Sequence, residues 1–392
     1  MKRKHVTQKM LAVLLSAVMA LSMAACGSDG NNSQDSERKD AAAIREENQA
    51  AETAAGAEEA AGEEETTASE TEETQAAEDS AKRTEYPLTI TNYGTDGAEL
   101  TAVYEKAPER VVAVYQGCVE TMLALGLEDR LVATAGLDNE VPDEQKAAFS
   151  KTNYLDEFTP SLETVTMLEP DMIFSWSSLF GEKTLGNTSE WEEKGVHTYM
   201  NSNTRPKQGD ISSPRTLENE FTDLLNIGKI FDVQDGAEAI VNDMKDTIDL
   251  VLEKTEGIEE KPTVMVLESW SDSYTNYGAS SLGGDMVVKL GGVLANPDAS
   301  SVGKEDVVAA NPDVIFVVYM PYSGDDPEQV KNDKLNYILE DEAFASLEAV
   351  KNGRVVPIML SEMYASATRT KDGIVTFAEG LYPEIDLGLT QE

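Results

Sequence analysis

The apolar runs of this chain are short, continuous and sharply bounded. Val111 to Val114, Met172 to Phe174 and Val314 to Val318 show no alternation of polar and apolar positions. Such runs, partly β-branched, predict strands covered on both faces, the arrangement of a parallel sheet under helices. Two of them end a phrase that the chain uses twice. Glu163 to Phe174 reads ETVTMLEPDMIF, and Glu305 to Phe316 reads EDVVAANPDVIF. Each copy predicts a helix feeding a strand. The Glu falls in the first helical turn, where an acid complements the positive end of the helix dipole. The Pro ends the helix, because it lacks an N–H and restricts the residue before it. Two such units far apart predict two similar α/β lobes.

The remaining pattern fills in around them. Leu88-Thr89-Ile90 and Leu100 to Val103, split by Tyr93-Gly94-Thr95-Asp96-Gly97, predict a β-hairpin. A strand over Arg110 to Tyr115 is followed by a helix from about Val119 to Leu125, closed by Gly126. Further strands are predicted over Leu131 to Ala135, Gly195 to Met200, Thr263 to Leu267 and Gly353 to Ile358. Helical spacing of Phe221, Leu224, Leu225 and Gly228, then of Ile240, Met244, Ile248 and Val251, predicts two helices broken at Asp232 to Asp235. The second is long, which makes it the natural connector between lobes. Helices are also predicted over Gly283 to Leu290 and Lys371 to Leu381.

Composition changes the picture at the N-terminus. Lys2-Arg3-Lys4, the apolar stretch from Leu11 to Met23 and Ala24-Ala25-Cys26 have the order of a secretory signal. The apolar stretch is short for a membrane span. Cys26 after the small pair resembles the acylated Cys of a bacterial lipoprotein, with Met23 where that pattern usually has Leu; an ordinary cleaved signal is the other reading. From Gly27 to Glu85 the chain is Ala, Glu, Thr, Ser and Gly, with 18 Asp or Glu against 5 Lys or Arg. Too little of it is apolar to offset its conformational entropy, so a disordered, self-repelling tether is predicted. The whole chain carries a net charge of −42 over 392 residues, which argues against nucleic acid as a partner. With Cys26 lipidated, Cys118 stands alone and no disulfide forms.

The set Arg110 to Gly126, the two repeated units, Gly283-Gly284-Asp285 to Gly292 and Gly353-Arg354-Val355 resembles the iron-siderophore/cobalamin type of substrate-binding protein, which serves ABC importers. The resemblance covers about Ala107 to Glu384. It implies the class III periplasmic-binding-protein fold: α/β, two Rossmann-like lobes joined by one long α-helix, with the ligand cleft between the lobes. The division that follows is 1–25 signal peptide, 26–85 acidic tether, 86–108 hairpin, 109–230 N-terminal lobe, 231–258 interlobe helix and 259–392 C-terminal lobe. It also implies a monomer, lipid-anchored on the outer face of the cell membrane of a Gram-positive bacterium. Its partners would be an ABC permease with its ATPase and a chelated iron or corrinoid ligand, and no resident cofactor is implied. Glu163 and Glu305 match the acids that dock on permease arginines in that family. Dipole complementation on a solvated helix start is the simpler role for each and is compatible with docking.

In open α/β sheets the ligand lies beyond the carboxyl ends of the strands. Residues near those predicted ends are aromatic or polar: Tyr115, Gln116, Trp176, Tyr199, Arg205, Trp270, Tyr274, Tyr319 and Tyr364. Such walls suit a flat, partly apolar ligand with polar edges. Trp191 is expected on a surface helix, and Arg205 and Arg369 are expected to pair with an anionic chelate. His197 reads as a satisfied histidine within a strand, and no His, Cys or carboxylate cluster has metal-site spacing. The metal is therefore expected already chelated, as a siderophore, corrinoid or haem. The alternative class is a secreted, hydrolase-like α/β enzyme, for which G-x-S-x-G, G-x-G-x-x-G, P-loop and H-E-x-x-H motifs are all missing. A surface adhesin would want repeats or an exposed sheet, and the sequence shows neither.

Overall fold

The apolar runs build two separate sheets. The computed structural model describes residues 83–208, 213–270 and 273–389, all within one compact unit of the chain. The expected signal peptide, Cys26 and nearly all of the tether lie outside the described residues. Strands β3 (Val111–Val114), β4 (Leu131–Ala135), β5 (Met172–Ser175) and β6 (His197–Met200) make the first sheet, in the order β4-β3-β5-β6. All its pairs are parallel, and every residue of β3 and β5 is buried, as continuous apolar runs require.

The hairpin β1 (Leu88–Tyr93) and β2 (Glu99–Tyr104) pairs antiparallel and covers the β6 edge of that sheet. Asn92 does this with its side chain. Its Nδ2 donates to the Met200 carbonyl at 3.0 Å, and its Oδ1 accepts from the Met200 N–H at 2.8 Å. An amide placed this way satisfies backbone groups that an open edge would leave available to another chain. Arg83 and Thr84, tether residues by composition, are already held to the body by Asp232 at 2.8 and 2.7 Å.

The second sheet contains β7 (Thr263–Trp270), β8 (Ser273–Asn276), β9 (Val293–Leu294), β10 (Ser301–Val302), β11 (Val314–Tyr319) and β12 (Val355–Met359). The order is β10-β8-β7-β11-β12, with β9 also on β7. It is mixed rather than parallel throughout: β8 runs antiparallel to β7, and β10 antiparallel to β8. β7 extends past Leu267 to Trp270, and the chain returns directly as β8. A direct return makes an antiparallel partner, whereas a parallel one needs a crossover.

The helices that matter below are α1 (Gln116–Ala124), α2 (Leu162–Met167), α3 (Leu217–Ile230), α4 (Gln234–Thr255), α5 (Leu282–Lys289), α6 (Lys304–Ala310), α7 (Pro327–Leu339) and α8 (Thr370–Leu381). At 22 residues, α4 joins the lobes. α1 begins three residues before the expected start at Val119. α7 carries little apolar signal, since Ile338 is its one buried residue. Its start is nonetheless marked by Pro327 at the first turn and by the Asp326 carboxylate accepting from the Glu328 N–H at 3.0 Å.

The repeated phrase folds twice as expected, into α2–β5 and α6–β11. The residue before each Pro, Glu169 or Asn311, takes a left-handed conformation (φ 46° and 41°) that ends its helix. Glu163 and Glu305 are each the second helical residue. Trp191 departs from its expected place. Its helix, Thr188–Glu193, lies at the surface, but the ring is 2% exposed and its Nε1 donates to the Leu185 carbonyl at 2.6 Å. A six-residue helix has one inward face, and the largest apolar side chain occupies it.

Candidate functional site

At the carboxyl end of β3 the backbone turns sharply at Tyr115, whose φ is 89°. That region costs a non-glycine residue about 1–3 kcal/mol, and such strain gathers at functional positions. The turn lays the Tyr115 ring against Trp176, which follows β5, with ring centroids 4.0 Å apart. The Tyr115 hydroxyl donates to Asp138 at 2.6 Å, beyond the end of β4. Gln116 braces the same loop, its Oε1 accepting from the Asp138 N–H at 3.0 Å. Three strand ends of the first lobe thus meet in one wall.

The opposite wall comes from 360–369, the segment between β12 and α8. Tyr364 stands 5.7 Å from Trp176 across the cleft and 6.3 Å from Tyr277 of its own lobe. Arg215 covers another part of the Tyr364 ring, its guanidinium 3.8 Å from the centroid. Ala367 in this segment also has a positive φ, 50°. Gly117 faces it: a Cβ there would lie 3.3 Å from both the Ala365 carbonyl oxygen and the Ala367 Cβ. The lobes approach this closely because position 117 has no side chain.

Two buried acids hold the segment. Glu120 on α1, fully buried, receives Arg369 in a fork, with Nε donating to Oε2 at 2.8 Å and Nη2 to Oε1 at 2.5 Å. Glu220 on α3 accepts from the Ala367 N–H and from Asn203 Nδ2, both at 2.6 Å. Burial pushes the Glu220 carboxyl up from its ordinary range. Glu362 is likewise pushed up, to about 7, by burial and then by the negative Asp372. The space left between the walls is about 330 Å³, its open mouth included. Tyr115, Gln116, Trp176 and Tyr364 line it, with Glu120, Asp138 and Arg369 as the charged groups.

The other expected cleft residues go elsewhere. Tyr199 is 1% exposed and packs edge-on to Phe174 within the first lobe, its hydroxyl donating to Asp223 at 2.8 Å. Burial pushes Asp223 up to about 7. Tyr274 belongs to the apolar core of the second lobe, with Val302, Ile338 and Phe344, because the antiparallel return turns it away from the cleft. Trp270 is 37% exposed, its Nε1 donating to Thr275 Oγ1 at 3.0 Å and Lys334 over its ring. It is outside the cavity lining. Tyr319 is half-buried at the end of β11, its phenol pushed up to about 12 by burial and then by Glu362 and Glu328; it too is outside the lining.

Arg205 stacks on Tyr93 at 4.1 Å and donates to the Gly97 carbonyl at 2.8 Å, stapling the hairpin. Arg369, expected to meet an anionic chelate, is engaged by Glu120 instead. Cys118 is buried, and burial pushes its thiol up. His197 Nδ1 lies 3.1 Å from Glu192, and its ring 4.4 Å from Tyr104. Glu120 and Asp138 are not among the residues that the sequence pattern singles out. One signal for Glu120 was present: an acid one turn after Gln116, among Val119, Met122 and Leu123 of an otherwise apolar helix. Among the described residues, no group of three or more His, Cys, Asp or Glu side chains is placed to hold a metal ion. No helix among them is long and apolar enough to cross a membrane.

Glu163 and Glu305 lie away from the cavity lining, one in each lobe, and both are exposed. Neither caps its own helix. Ser161 Oγ accepts from the Thr164 N–H at 3.1 Å, and Asp306 accepts from the Gly303 N–H at 2.9 Å.

Residues 111–359 match the family model described as "Periplasmic binding protein". A crystal structure of a periplasmic binding protein from Veillonella parvula is 29% identical, covers 77% of this chain and 93% of its own, and superposes with a TM-score of 0.70. An ABC-type Fe3+-hydroxamate transport system protein from Saccharomonospora viridis is 22% identical over 76% of this chain and 99% of its own, TM-score 0.57. A periplasmic heme-binding protein from Roseiflexus is 17% identical over 70% and 98%, TM-score 0.51. No curated protein matches the chain.

Proposed function

The chain belongs to the periplasmic binding protein family, and from that premise we propose that it is the extracytoplasmic substrate-binding lipoprotein of an ABC importer. In this reading it captures a chelated metal, with a ferric siderophore first and a corrinoid or haem as further ligands, and delivers it to the permease. The carrying observation is the cavity, which takes half of its wall from each lobe and meets a ligand with aromatic faces at Tyr115, Trp176 and Tyr364. A ligand held by both lobes favours their closed arrangement, which gives a permease a difference to read. The similarity to carriers described as Fe3+-hydroxamate and heme proteins supports the ligand class. Native mass spectrometry of the full chain against ferric siderophores, corrinoids and haem tests it. One-to-one retention of at least one chelate is expected, and retention of none overturns the reading.

The same proposal makes the acidic stretch 26–85 a tether, held to the body from Arg83 on, and Cys26 its acylated anchor. Cys26→Ser should then move the protein from the membrane fraction to the medium. Unchanged membrane association would remove the anchor from the proposal.

A further inference from the structure

The Arg369 guanidinium carries five N–H donors on one rigid plane. Three of them are spent inside the chain. Nε donates to Glu120 Oε2 at 2.8 Å, and Nη2 donates to Glu120 Oε1 at 2.5 Å and to the Glu140 carbonyl at 3.0 Å. Glu120 is itself held, since its Oε1 also accepts from Gln116 Nε2 at 2.6 Å. A carboxylate fixed in this way fixes the plane of the guanidinium that forks with it. The two donors left over are both on Nη1. Among the described residues their one partner is Ser361 Oγ at 3.5 Å, which is long for a hydrogen bond. Ser361 and Arg369 both line the cavity. Ser361 is half-buried, and the Arg369 side chain is 11% exposed.

From this we infer that the Nη1 arm of Arg369 and the Ser361 hydroxyl form a polar subsite of the cleft, donating together to one acceptor oxygen on the rim of the ligand. The inference rests on the reading of the protein as a chelate carrier and adds how the ligand is oriented. Two donors 3.5 Å apart can both reach an oxygen set between them at about 2.9 Å. The Ser361 O–H rotates to suit. The fork already offsets the charge of Arg369 with that of Glu120, so the subsite selects for an acceptor atom and does not require an anion. A hydroxamate carbonyl, a carboxamide and a carboxylate oxygen all qualify. Tyr115, Trp176 and Tyr364 take the flat part of such a ligand, and the Ser361–Arg369 edge takes its acceptor rim. A donor held in place beforehand loses little freedom on binding, which favours affinity.

Titration calorimetry on the full chain tests the subsite. The probes are a ferric tris-hydroxamate, a corrinoid and haem, and the tightest binder of the three is carried into the variants. Ser361→Ala removes one donor and leaves the Glu120–Arg369 fork as it is. It should weaken that probe about threefold or more, with urea unfolding of the free protein unchanged. Arg369→Lys keeps a positive charge for Glu120 but has no planar arm to present. It should weaken the probe about tenfold or more, as the loss of a hydrogen bond from a charged group does. A loss below threefold in Ser361→Ala, or one that comes with altered unfolding, overturns the inference and leaves the carrier reading intact. So does a loss below tenfold in Arg369→Lys with normal unfolding. Should Arg369→Lys fail to fold, Ser361→Ala decides alone. Binding of none of the three probes by the unchanged chain overturns the carrier reading, and the inference with it.

Discussion

Glu163→Arg and Glu305→Arg should each bind ligand in solution as the unchanged chain does, yet cut uptake by cells to about a tenth or less. Both carboxylates are exposed, both are the second residue of a helix that leads into a buried strand, and neither lines the cavity. An exposed acid facing a permease arginine makes a charge-assisted contact. An arginine in its place sets like charges together, which costs several kcal/mol at an interface. Gln at either position removes attraction without adding repulsion and should lose less. The double Arg variant should be no better than the worse single one, because the docking expected from the family resemblance seats both lobes at once. Uptake is measured with radiolabelled chelate at limiting protein, with calorimetry as the binding control. Normal import by one single variant ends the docking role for that residue. Complementing the helix dipole would then be its whole function, worth about 0.3–1 kcal/mol of stability.

Trp176→Ala should weaken ligand binding by about 1–3 kcal/mol, the range for a buried aromatic at an interface. Trp270→Ala should weaken it by less than about 0.5 kcal/mol, as a surface change away from the contact does. The two tryptophans look alike in the sequence, each directly following or ending an apolar strand. The structure separates them: Trp176 touches Tyr115 and faces Tyr364, while Trp270 sits on Thr275 and Lys334. Ligand should therefore quench fluorescence in Trp270→Phe as it does in the unchanged chain, and much less in Trp176→Phe. Tyr364→Leu checks the opposite wall with a variant that fills most of the same volume. Full affinity in both Trp176→Ala and Tyr364→Leu, with unfolding unaltered, would place the ligand outside this cavity.

The path of the backbone was largely legible along the chain. Runs such as Val111 to Val114 and Val314 to Val318 are apolar throughout, so they are stable only when covered on both faces, and that alone calls for helices over a sheet. The repeated phrase located two helix–strand units because Pro and the residue before it stop a helix by local sterics. The break at Asp232, where φ is 57°, and the 22-residue helix after it follow from local periodicity in the same way. Side-chain partners were not legible, because they depend on which distant segment arrives opposite. Tyr274 was drawn into the core by an antiparallel return, and Tyr199 was claimed by Asp223 on α3. Arg205 turned to the hairpin instead of the ligand. The ion pair between the two walls joins Glu120 and Arg369, which stand 249 positions apart. No local pattern couples two such residues; only the packing of one lobe on the other brings the buried Glu120 to the Arg369 guanidinium.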